Sequence, residues 1–164
     1  DLLRDFDDIH LLLVNAKYPA PESEAEQLRC EKLITELMIQ AKVTLINDFL
    51  PDEESLALLG LAECIVFPYQ DTQESASGAI KQGLAAGRPI LCSPLAIFDD
   101  VADAVLFLPG VKINQIRQGI AGFLRQPEQL HLQIDRQQKW CQAHHWPLLA
   151  QRLWNMIISI EAQP

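Results

Sequence analysis

The chain has 164 residues, 49% of them apolar and 21% charged, with a formal charge of −9 at pH 7. That length supports one domain with a substantial core, and the balance is that of a globular fold in water. The acidic excess excludes a basic nucleic-acid face, and no apolar run approaches the roughly 20 residues a membrane-spanning helix needs. Four cysteines, Cys30, Cys64, Cys92 and Cys141, are scattered without a C-x-x-C pair. That usage fits a reducing compartment better than a disulfide framework. No signal peptide opens the chain at Asp1, so the expectation is a cytoplasmic piece of a longer protein.

Leu2, Leu3 and Phe6 keep a helical spacing at the start. Residues 10–14 then form a continuous apolar run, the mark of a strand covered on both faces. After a loop with two prolines, residues 24–40 read as an amphipathic helix, with Leu28, Leu33 and Leu37 inward and Glu26, Arg29, Lys32 and Glu36 outward. Residues 43–46 are the next strand. Pro51 suits the first position of a third helix, and Asp52, Glu53 and Glu54 suit the positive end of its dipole. Further apolar runs at 64–67, 89–92 and 104–108 predict three more strands. Three helices close the chain. Ile113, Ile116, Ile120 and Phe123 stripe the first, Pro127 opens the second, and His145 to Pro147 start the third, whose face is Leu149, Leu153, Met156, Ile157 and Ile160. Strands alternating with helices predict an α/β domain built on a parallel sheet.

The stretch 69–89 carries the chemistry. It leaves the strand at 64–67, crosses a polar loop and enters a small-residue helix that ends at Gly87. That order aims unpaired helix amides at whatever lies above the sheet edge. Glu74, Ser75, Ser77 and Gly78 occupy the turn, bringing a carboxylate, two hydroxyls and several amide donors together.

With those residues in place, the chain resembles the C-terminal, donor-binding half of a family 4 retaining glycosyltransferase, a two-domain enzyme of the GT-B type. The markers are Phe49-Leu-Pro-Asp-Glu-Glu54, Ala62-Glu-Cys-Ile-Val-Phe-Pro68, and Glu74-Ser-Ala-Ser-Gly78 running on to Ala85-Ala-Gly-Arg-Pro89. The resemblance covers essentially the whole chain. It implies a single Rossmann-like domain over residues 1–164, a doubly wound parallel sheet with helices on both faces and terminal helices over 113–164. It implies Glu74 as the catalytic residue beside the donor sugar, Ser75, Ser77, Gly78, Ala79 and Gln82 as donor ligands, and Leu50 near the base. Position 82 departs from the family, which usually has Glu there on the ribose hydroxyls. The Gln82 amide lacks the charge that roughly doubles the strength of such a hydrogen bond.

The resemblance further implies no metal and no cofactor, with a nucleoside-diphosphate sugar as the substrate. The acceptor would be a saccharide or lipid-linked glycan in polysaccharide biosynthesis, and an N-terminal domain of the same parent chain would complete the cleft, at the inner face of the membrane if that domain sits there. The fragment itself could pair as a homodimer. In the family this domain opens with a strand and a basic phosphate-binding loop. Here the chain starts within the helix that follows, so a gap is expected between the runs 11–14 and 64–67, and the chain alone is expected to be inactive.

Three other classes compete with this one. A non-catalytic nucleotide- or partner-binding module derived from a glycosyltransferase is favoured by Gln82 and the absent basic loop. A receiver-type signalling domain needs an Asp where Pro68 follows the strand. A nucleotide-sugar epimerase shares the GT-B architecture. Adjacent His144 and His145 point roughly 100° apart on a helix and have no Cys or carboxylate at ligand spacing, so they read as helix-start residues rather than a metal site.

Overall fold

The computed structural model describes residues 2–161. The chain groups into two compact units, Asp1–Ala57 and Leu58–Pro164.

The first unit contains α1 (Leu2–Asp5), β1 (Leu11–Val14), α2 (Pro21–Glu36), a 3₁₀ turn (Gln40–Lys42) and β2 (Val43–Ile46), and it enters α3 (Asp52–Leu61). β1 and β2 pair in parallel, Leu11 with Val43 through to Val14 with Ile46. Pro21 occupies the start of α2, where its missing N–H leaves nothing unpaired. The half-buried side of α2 carries Cys30, Ile34 and Leu37, whereas Leu28 is 65% and Leu33 47% exposed. The inward stripe expected from Leu28 and Leu33 is therefore corrected: five residues apart, they do not share a helix face, while 30, 34 and 37 do. No described residue of this unit is fully buried. β1 and β2 are thus half-exposed rather than covered on both faces, because two strands and one long helix supply too little surface to enclose them.

The second unit holds β3 (Ile65–Phe67), α4 (Gly78–Ala85), β4 (Ile90–Cys92), a 3₁₀ segment (Ala96–Ala104), β5 (Leu106–Phe107), α5 (Ile113–Leu124), α6 (Pro127–Ala143) and α7 (Trp146–Glu161). β3, β4 and β5 form a parallel sheet in that order, with Ile65 opposite Ile90 and Leu91 opposite Leu106. This sheet and the β1–β2 ladder are separate. Side chains alternate across it as the pleat requires. Ile65, Phe67, Ile90 and Cys92 meet Ile80 and Leu84 of α4 and Ile97, Phe98 and Val101 of the 3₁₀ segment. Val66, Leu91 and Leu106 meet Ile116, Ile120 and Phe123 of α5 on the other face. The result is an α/β fold of the Rossmann-like kind.

Two buried amides fix α6 over the first face. Gln133 Nε2 donates to Ala104 O at 2.7 Å, and Gln137 Nε2 donates to Leu84 O at 2.9 Å. Burial pushes the Cys64 thiol up to about 11 and the Cys92 thiol up to about 12. Both therefore stay protonated at neutral pH and resist alkylation. Gly83 sets how closely α4 approaches the sheet: a Cβ there would lie 3.1 Å from Ile90 Cδ1 and 3.2 Å from Phe67 Cε2. Ile90 is fully buried and has nowhere to move. Gly83→Ala is expected to lower stability by about 1–2 kcal/mol in urea unfolding, the overpacking cost exceeding alanine's gain in helix propensity.

Candidate functional site

The loop between β3 and α4 is rooted in an aromatic cluster. Tyr69 packs edge-on against Phe67 with ring centres 6.2 Å apart, and tilts against the fully buried Phe98 at 5.2 Å. Beyond it, the Thr72 hydroxyl accepts from the Glu74 backbone N–H at 3.1 Å, a local turn of the kind threonine favours. The chain bends at Ser75 and Ala76 and reaches Ser77 in an extended conformation.

Ser77 is the N-cap of α4. It is buried, and its Oγ accepts from the Ile80 N–H at 3.3 Å. This uses the hydroxyl that the sequence reading offered to a ligand, and it leaves the first amides of the helix, Gly78 and Ala79, without an intrahelical acceptor. At Gly78 nothing stands within 4 Å of where a Cβ would be. Gly78 and Ala79 are both exposed, and they stand at the positive end of an eight-residue helix at the C-terminal edge of the sheet. Removing the cap with Ser77→Ala is expected to cost about 1 kcal/mol, read as a fall in urea midpoint.

Glu74 and Ser75 are exposed in the loop immediately before this helix start. Gln82 lies one turn further along α4, on its exposed side. Glu74, Ser75, Ser77, Gly78 and Ala79 thus fall in one contiguous loop-to-helix segment. Leu50, half-buried, belongs to the first unit, in the loop between β2 and α3. Lys81 has a structural partner instead of a ligand: its ammonium pairs with Asp100 and lies 4.9 Å from the centre of the Trp140 ring.

Sequence reasoning missed Ser93. It follows β4 at the same sheet edge, where its N–H donates to Phe67 O at 3.1 Å. The residue is fully buried and its hydroxyl has no hydrogen-bond partner. A single serine after an apolar strand gave no signal of this. Among the described residues, no group of three or more His, Cys, Asp and Glu side chains is placed to hold a metal ion. Among them, too, no helix is long and apolar enough to cross a membrane.

No family profile matches the chain, and no curated protein matches it at the sequence level. Among solved structures, it is similar to sucrose-phosphate synthase from Thermosynechococcus elongatus, with a TM-score of 0.72 and 24% identity, covering 93% of this chain and 39% of that one. It is also similar to a glycosyltransferase from Rickettsia africae ESF-5, with a TM-score of 0.75 and 14% identity, covering 96% of this chain and 41% of that one. The likeness is one of fold, and the chain spans about two fifths of the length of each.

Proposed function

We propose that this chain is the donor-binding half of a glycosyltransferase, holding a nucleoside-diphosphate sugar at the start of α4. The observation that carries this reading is the serine-capped helix start, where exposed Gly78 and Ala79 follow the loop that carries the exposed Glu74 carboxylate. A diphosphate gains negative charge as its bond to the sugar breaks, and fixed N–H donors stabilise that charge without reorganising. The glycosyltransferase-like fold adds support.

In this reading the reaction retains configuration and needs no metal. Glu74 accepts hydrogen bonds from hydroxyls of the donor sugar, Ser75 borders the sugar, and Gln82 meets the ribose. A further domain of a longer cytoplasmic protein brings the acceptor, a saccharide or lipid-linked glycan. A second reading, a module that binds nucleotide without catalysis, is favoured by the uncharged amide at position 82.

Calorimetric titration of the chain with UDP, GDP and ADP, and then with their sugars, in the presence of EDTA tests this directly. Saturable binding of one diphosphate, tightened by its sugar, is the expected result. Binding that the sugar does not tighten favours the second reading, and no binding of any diphosphate rejects both. Gln82→Glu is expected to tighten the nucleotide about three- to ten-fold, since a charged acceptor on a ribose hydroxyl adds about 1 kcal/mol.

A further inference from the structure

The helix α7 leaves a broad apolar surface in water. Its residues 151–160 are all exposed, and the six large apolar ones among them are each 40–64% exposed. At about 100° per residue, Met156, Ile160, Leu153, Ile157, Trp154 and Ile158 follow one another round the axis over an arc of about 200°. Gln151, Arg152, Asn155 and Ser159 fill the remainder. Three of these find partners along the helix itself: Gln151 Nε2 donates to Asn155 Oδ1 at 3.0 Å, and the Ser159 hydroxyl donates to Met156 O at 2.7 Å. The polar side is complete in water, and the apolar side is not.

The size and chemistry of the arc select what covers it. The six side chains leave roughly 600 Å² of apolar surface exposed, at the upper end for a monomer and close to the roughly 800 Å² that each side of a standard interface buries. A lipid surface fits poorly, because a helix lying on one carries many basic residues on its polar side. Arg152 is the sole charge among residues 146–160, in a chain of formal charge −9. A different helix is not selected either, since such pairing is specified by charges along the flanks of the seam.

The same helix of a second copy does fit. Leu149, Leu153, Met156 and Ile160 stand four, three and four residues apart, the repeat of a two-helix seam. Run antiparallel, the seam sets Leu153 against Met156 and Leu149 against Ile160 of the second copy. Small Ala150 then meets large Ile157 on one flank, and Arg152 meets Ser159 on the other. No charge enters the seam. A parallel pair would instead crowd two strongly acidic chains at one end of the helices.

We propose that α7 is a homodimer interface, two copies packing it antiparallel about a two-fold axis that crosses the helices between Trp154 and Asn155. The proposal is independent of the donor-site reading.

Sedimentation equilibrium of the 164-residue chain tests it. Twice the chain mass, with a dissociation constant below about 10 μM, is the expected result. A monomer up to about 100 μM, or assemblies that keep growing with concentration, overturns it. Leu153→Glu puts an unpaired carboxylate into the seam and should weaken the dimer at least about ten-fold. Gln151→Glu adds the same charge on the polar side and should stay within about three-fold. Equal effects place the interface elsewhere and overturn the proposal. Position 153 is exposed in the single chain, so the fold should survive the substitution. If circular dichroism shows otherwise, Ile160→Glu takes its place under the same criterion. Ser159→Glu faces Arg152 of the second copy and should bind about two- to three-fold tighter than Gln151→Glu. A dimer no tighter than that control rejects the antiparallel arrangement.

Discussion

Phe98→Ala is expected to remove about 3–5 kcal/mol of stability, the range for emptying a fully buried aromatic site. The ring is the largest wholly buried side chain of the second unit. It lies between Phe67 at the end of β3 and Tyr69 at the root of the site loop, with ring centres 6.3 and 5.2 Å away. Neither neighbour can close the space cheaply, because Ile80, Ile90 and Val101 around it are buried and held by α4, β4 and the 3₁₀ segment. Against a total of about 5–15 kcal/mol for an ordinary domain, the loss is large enough to leave the protein partly unfolded at 37 °C. Urea unfolding followed by circular dichroism measures it. Phe98→Leu keeps most of the volume and should cost about 1–2 kcal/mol. If the two variants unfold alike, Phe98 does not organise this core.

That residue also marks the limit of what the sequence disclosed. Apolar runs found all five strands to within two residues, because an apolar stretch bounded by polar residues and Pro has few other uses in a parallel sheet. Helix starts were legible at Asp52 and Pro127, where a proline or an acidic first turn announced them, whereas α2 runs Pro21–Glu36 and not 24–40, because a proline read as part of the loop fits the first helical turn equally well. The segment Ala96–Ala104 was passed over because it fits neither a period of 2 nor one of 3.6. Of its four buried residues, Ile97, Phe98, Val101 and Ala104, the last three recur at every third position, which is the 3₁₀ repeat. Gln133 and Gln137 are buried without any sign of it in the sequence, since each amide finds a main-chain carbonyl that no local pattern reveals. At the candidate site, the loop and the helix start could be read from residues 74–78, whereas the Ser77 cap could not. The division of labour within it could not, because whether a serine caps or binds depends on which side its hydroxyl faces.

Glu74→Ala is the substitution with the largest expected effect on binding. The Glu74 carboxylate is exposed and has no ion pair or side-chain hydrogen bond among the described residues, so its removal leaves no buried partner orphaned and should move stability by less than about 0.5 kcal/mol. If it receives sugar hydroxyls, each such charge-assisted bond is worth about 1.5–3 kcal/mol, and affinity for the nucleoside-diphosphate sugar should fall about 10- to 100-fold. If the Gly78 and Ala79 amides receive the phosphates, affinity for the bare diphosphate should stay within about two-fold, because the substitution leaves those amides in place. Parallel titrations of the variant with diphosphate and with its sugar therefore separate three cases. A loss confined to the sugar assigns Glu74 to it. An equal loss of both places the carboxylate in the shape of the loop instead. An unchanged pair of affinities removes Glu74 from the site and leaves the helix start alone as the binding element.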